Sequence, residues 1–109
     1  MTRIELTECF RAAAADAKAA DPGHENDGGT CNFDWPTFRL PRLHKKFVQG
    51  CAHEAGVSVD THWDGAGRRW FTLCLALYGQ AHRRTVMAEA AVKRLKLCGL
   101  EARMMYHTD

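Results

Sequence analysis

The sequence predicts an α+β fold, and three observations carry that expectation. After residue 30 the pattern reads strand, helix, strand, tight turn, strand, helix, strand. A further helical stretch stands before it. A chain of 109 residues, 46% of them apolar, suffices for one core and not for two.

Thr2 followed three positions later by Glu5 is a capping-box signature, because hydroxyl and carboxylate each satisfy a backbone amide that a first helical turn leaves without a partner. Leu6, Cys9, Phe10, Ala13, Ala14 and Ala17 then recur at helical spacing, so a helix is predicted over residues 1–20, starting near Arg3. Asp21-Pro22-Gly23 ends it, and residues 21–29 read as an acidic, glycine-rich loop. The remainder, 30–109, is the βαββαβ core.

Thr30 to Leu40 are strand formers interrupted by Pro36, which has no amide to donate and is therefore expected on an edge strand or at a bulge. Pro41 is expected in the first turn of a second helix, whose stripe is Leu43, Phe47, Val48, Cys51, Ala52 and Ala55 and whose end is Gly56. Val57 to Trp63 and Arg68 to Tyr78 read as strands joined by a hairpin at Asp64-Gly65-Ala66-Gly67. In the latter, Phe71, Leu73, Leu75 and Leu77 share one face, while Trp70, Thr72, Cys74, Ala76 and Tyr78 share the other. Two apolar faces predict a central strand covered on both sides. A third helix from Gln80 to Cys98 turns Met87, Ala88, Ala91, Val92, Leu95 and Cys98 inward and Glu89, Lys93 and Lys96 outward, before Gly99 stops it. Leu100, Ala102, Met104 and Tyr106 alternate with Glu101, Arg103, Met105 and His107 in a last strand. This order is that of a ferredoxin-like sandwich with an additional N-terminal helix. The added helix is expected to cover part of the sheet face that the other two leave open.

Composition narrows the function classes. No apolar run approaches the roughly 20 residues that cross a bilayer, and the first residues lack the basic and apolar regions of a secretory signal. Five cysteines without a C-x-x-C pair, mostly on apolar stripes, read as reduced thiols and agree with a cytoplasmic location. Charge is unevenly placed: residues 1–36 hold three basic and seven acidic groups, and residues 37–109 hold twelve and six. That asymmetry permits a polyanionic partner.

Two basic clusters are candidates for contact with such a partner. Gln80-Ala81-His82-Arg83-Arg84-Thr85 opens the third helix, where cations oppose the helix dipole and an external anion offsets the penalty. Arg39, Arg42, His44, Lys45 and Lys46 surround the start of the second. Both helices follow strands, so their starts are expected side by side at one sheet edge, with Arg68 and Arg69 joining the patch if strand direction allows. The basic-Gly-aromatic run of sheet-face RNA readers is absent, so Trp35, Trp63 and Trp70 are expected as core or interface anchors. Cys51-Ala52-His53 would point its two ligands in different directions, and no metal or cofactor is expected. There is no P-loop, no G-x-G-x-x-G and one serine, Ser58; no catalytic centre is expected.

The stretches Gly29-Thr30-Cys31-Asn32-Phe33-Asp34, Leu40-Pro41-Arg42, Gly79-Gln80-Ala81-His82-Arg83-Arg84-Thr85 with Ala88-Glu89, and the glycine-led final strand ending in Tyr106 and Asp109 resemble a group of small proteins from phages and conjugative elements. The resemblance covers residues 29–109. The group has no assigned chemistry, so the resemblance implies a context, that of a mobile-element accessory protein, and no functional residue. Together these readings lead to the expectation of a small non-catalytic binding protein that occupies a host protein or ribonucleoprotein complex, in concrete form an anti-CRISPR-like inhibitor of a host defence nuclease. In that reading the acidic segment from Asp21 to Asp27 is either a phosphate mimic or a solubilising loop. The alternative expectation is a protein that binds DNA or RNA directly through Arg39, Arg42, Lys45, Lys46, Arg68, Arg69, Arg83 and Arg84.

Overall fold

Thr2 opens the first helix as its sequence context demands. Its hydroxyl accepts the amide of Glu5 at 3.1 Å and the Glu5 carboxylate accepts the amide of Thr2 at 3.0 Å, so α1 (Arg3–Ala19) starts on a complete capping box. The computed structural model describes residues 1–23, 34–75 and 81–105. Most of the expected acidic loop, Cys31, the first part of the strand expected at 30–40 and the last part of the one expected at 68–78 lie outside the described residues.

The remaining elements are β1 (Trp35–Arg39), α2 (Lys45–Glu54), β2 (Ser58–Trp63), β3 (Arg69–Cys74), α3 (Ala81–Leu97) and β4 (Glu101–Met105). The strands form one sheet in the order β2-β3-β1-β4, and every neighbouring pair is antiparallel. The protein is therefore mixed α and β, with three helices and a four-stranded antiparallel sheet among the described residues.

Three local expectations are corrected. Pro36 lies in β1 between two neighbours, not on an edge. Its missing amide is tolerated because the ladder to β3 begins only at Thr37, opposite Thr72, while toward β4 Pro36 is paired with Met104. Pro41 lies before α2 and not in its first turn. His44 caps that helix, with its Nδ1 accepting the amide of Lys46 at 3.1 Å, and the preceding residues form a turn closed by the Leu43 amide on the Leu40 carbonyl. Arg69 holds this turn by donating from Nη2 to the carbonyls of Leu40 and Leu43 at 2.9 and 2.7 Å. At the other end of α2, Gly56 takes φ 81° and Val57 donates back to the Ala52 carbonyl at 2.9 Å, the closure a glycine permits.

The third correction concerns α1, which does not cover the open face. It packs on the same face as α2 and α3 and touches both, while those two do not touch each other among the described residues. Small residues allow this: Ala13 and Ala17 of α1 are buried in the common core, and beside them Asp16 accepts Arg94 Nε of α3 at 2.7 Å. Phe10 of α1 reaches Phe38 of β1 with ring centroids 5.3 Å apart, and Phe38 stacks on Phe71 of β3 at 5.3 Å. All three rings are fully buried.

The second apolar face of β3 is covered by side chains instead of a helix. Trp70 points away from Phe71 and is 2% exposed, because the Arg103 guanidinium lies 3.9 Å and the Arg39 guanidinium 5.9 Å from its ring centroid. Its indole Nε1 donates to Asp64 Oδ2 at 2.9 Å. Asp64 also accepts the amides of Ala66 and Arg68, both at 2.9 Å, and Arg68 Nε at 2.8 Å. One carboxylate thus closes the hairpin and pins Trp70.

These bonds, led by the Arg68 amide and then the Trp70 indole, hold the Asp64 carboxyl well below the usual carboxylate value of 3.8. A depressed folded value means that the stabilisation is fully present above the ordinary value and is lost as acid titrates the folded carboxylate. The wild-type melting temperature is expected to decline below about pH 4. Asp64→Asn is expected to melt lower at neutral pH and to decline less in acid; parallel curves for the two proteins would remove Asp64 from the acid response.

Candidate functional site

The end of the sheet where β1 finishes and β3 begins collects six of the eight basic residues singled out in the sequence. Arg39 closes β1, Arg42 lies in the turn that follows, Lys45 and Lys46 open α2, and Arg68 and Arg69 lead into β3. Antiparallel pairing makes them neighbours, since the last residues of β1 face the first residues of β3.

The six divide by how they are held. Arg39 pairs with Glu101 at 3.0 Å and leans over Trp70. Arg68 pairs with Asp64. Arg69 lies 4.8 Å over the Phe71 ring while bonding the Leu40–Leu43 turn. The Nε groups of Arg39 and Arg69 are buried and meet no acceptor among the described residues. These three arginines brace the surface. Arg42, Lys45 and Lys46, by contrast, are exposed and have no ion-pair partner among the described residues. They form a free cationic edge on a braced support.

Trp63 stands beside them. It is the last residue of β2, pairs in register with Arg69, and is 68% exposed. Of the three tryptophans, expected as core or interface anchors, Trp70 is buried and Trp63 offers an open side chain at the cationic end. Its position at the tip of an outer strand, just before the hairpin, was the available signal.

The expected merger with the start of α3 does not occur. Because β1 and β3 run in opposite directions, α2 and α3, which follow them, begin at opposite ends of the sheet. Arg83 and Arg84 are also buried, each 7% exposed. Arg83 donates from Nε and Nη2 to the two carboxylate oxygens of Asp21 at 2.7 and 2.9 Å. Arg84 donates from Nε to the Asp34 carbonyl at 3.2 Å and stacks 4.1 Å from the Trp35 ring centroid; burial pulls its guanidinium below the usual value. Thr85 donates to the Asp34 carboxylate. The cations that oppose the α3 dipole are thus balanced by Asp21 and Asp34 of this chain. Asp21, counted with the acidic loop, is an internal counter-ion.

The sheet face away from the helices carries a groove of about 460 Å³ lined by Trp35, Asp60, Thr61, His62, Thr72, Cys74 and Met105. It contains a thiol and an imidazole, each bonded to a different partner. Their backbone positions, Cys74 opposite Ser58 and His62 opposite Trp70, lie roughly 13 Å apart along the strands. His62 Nδ1 meets the Thr72 hydroxyl at 3.2 Å, and Cys74 donates to Asp60 at 3.5 Å. Burial and then the Asp60 charge push the Cys74 thiol up, the reverse of what a nucleophile needs. Burial, with Cys98 beside it, likewise raises Cys9. Among the described residues no group of three or more His, Cys, Asp or Glu is placed to hold a metal ion, and no helix is long and apolar enough to cross a membrane.

No family model matches the chain, and no curated protein or solved structure is similar to it.

Proposed function

We propose that the protein is a non-catalytic nucleic-acid-binding accessory protein whose contact surface is the sheet end where α2 begins. The observation that carries this reading is Trp63, 68% exposed at the same end of the sheet as the exposed cations Arg42, Lys45 and Lys46, which have no ion-pair partner among the described residues. A single strand offers both partners at once, a base to stack on the indole and phosphates for the cations. A duplex keeps its bases stacked away from such a platform, so single-stranded RNA or DNA is the favoured ligand.

The other expectation, an anti-CRISPR-like inhibitor that occupies the surface of a host defence nuclease complex, is a separate reading. A ferredoxin-like classification of the scaffold goes with the proposal. It is supported by the strand order, which from the other edge reads β4-β1-β3-β2, and by the two strand-helix-strand halves. A cytoplasmic location is proposed as well, supported by the free thiols of Cys9, Cys51, Cys74 and Cys98.

Fluorescence anisotropy of a labelled oligouridine at low salt tests the reading. Saturable binding is expected, and Trp63→Ala is expected to weaken it at least about fivefold, the lower range for one stacked base. No retention of RNA, single-stranded DNA or duplex at low salt would end the proposal.

A further inference from the structure

A second surface lies at the opposite edge of the sheet. A groove of about 470 Å³ is lined by Glu89, Val92, Lys93 and Lys96 of α3 and by Arg103 and Met104 of β4. Arg103 and Met104 are consecutive in a strand, so their side chains leave opposite faces of the sheet. A groove that touches both therefore runs along the rim of β4. That rim is the outer edge of the sheet, since β4 pairs with β1 on one side and with no strand on the other among the described residues.

An unpaired edge turns alternate amides and carbonyls outward, a template that an extended chain satisfies strand to strand. The floor supplies apolar contact through Val92, 6% exposed, and the half-buried Met104. The walls supply charge: Lys93 and Lys96 are exposed, against the one carboxylate of Glu89, and none of the three has an ion-pair partner among the described residues. Arg103 lines the groove while its guanidinium turns inward over Trp70 of β3.

We infer that the β4 edge is a docking site for an extended acidic peptide segment of a partner protein, which adds to the sheet as a fifth strand with its carboxylates toward Lys93 and Lys96. Charge selects this occupant. A second copy of the chain would bring the same cations against each other, which opposes pairing. A nucleic-acid strand matches the cations but leaves the backbone edge and the apolar floor without partners. The site is separate from the Trp63 surface, so either can fail alone.

The test is a titration of the isotope-labelled full chain with an acetylated heptapeptide of alternating glutamate and valine, followed by backbone amide resonances. Saturable shifts confined to Glu101–Met105 and the facing side of α3 are expected. Lys93→Glu with Lys96→Glu, both at exposed positions compatible with folding, is expected to weaken binding about tenfold or more. A lysine–valine heptapeptide and hexauridine are expected to leave these resonances in place. Absence of saturable shifts, shifts centred elsewhere, equal binding of the lysine peptide, or unchanged affinity in the double variant would overturn the inference. So would self-association of the chain through β4.

Discussion

Phe38→Ala is expected to lower folding stability by about 3 to 5 kcal/mol. Phe38 is fully buried in the middle of the sheet, between Phe10 of α1 and Phe71 of β3, with ring centroids 5.3 Å from each. Truncation removes the contact of both rings at once and opens a cavity that neither sheet nor helix can close without breaking strand register. Domains of this size are stable by only about 5 to 15 kcal/mol, so the variant should unfold at a much lower urea concentration than the wild type. A loss below about 1 kcal/mol, the centre of the range for ordinary substitutions, would show that α1 is not docked on the sheet through these rings.

Arg83→Ala is the second large effect, with an expected loss of about 3 kcal/mol. The Arg83 and Asp21 side chains are 9% and 20% exposed and share two charge-assisted bonds, so removing the guanidinium leaves a largely desolvated carboxylate. The cost is the desolvated charge, which keeps the Gly23 amide but loses its cation, more than the lost bond. Asp21→Asn together with Arg83→Met should therefore recover much of the stability lost by the single variant. If the loss in the double equals the sum of the losses in the two single variants, the pair is not coupled and the arginine acts through other contacts. The same experiment bears on function, because an arginine retained for an external anion would be removed at little cost to folding.

What could be read from the sequence follows the range of the forces involved. The capping box at Thr2 and Glu5, the stripe of α1, the hairpin at Asp64 and the alternation of the last strand over its described residues are local patterns, and each appears where its spacing placed it. The site depended on relations that span the chain. Whether the starts of α2 and α3 adjoin is decided by the direction of β1 against β3, which resides in the pairing of Phe38 with Phe71 and in neither strand alone. The burial of Arg83 and Arg84 rests on Asp21 and Asp34, 62 and 50 positions distant in the chain. Trp63 and Trp70 are alike in sequence, yet one caps a strand end and the other lies under two arginines. Composition marked the basic half correctly; partner geometry determined which of its cations are free.

The dependence of oligouridine affinity on salt, measured for the wild type and for Arg42→Ala/Lys45→Ala/Lys46→Ala, locates the contact surface. Three phosphate contacts removed from a single strand should reduce the slope of log affinity against log salt by about 2, since each contributes roughly 0.7. A Lys93→Ala/Lys96→Ala control, with two unpaired cations removed from the far edge of the sheet, should keep the wild-type slope. An unchanged slope in the triple variant, or an equal loss per removed charge in the control, would contradict binding at the Trp63 end.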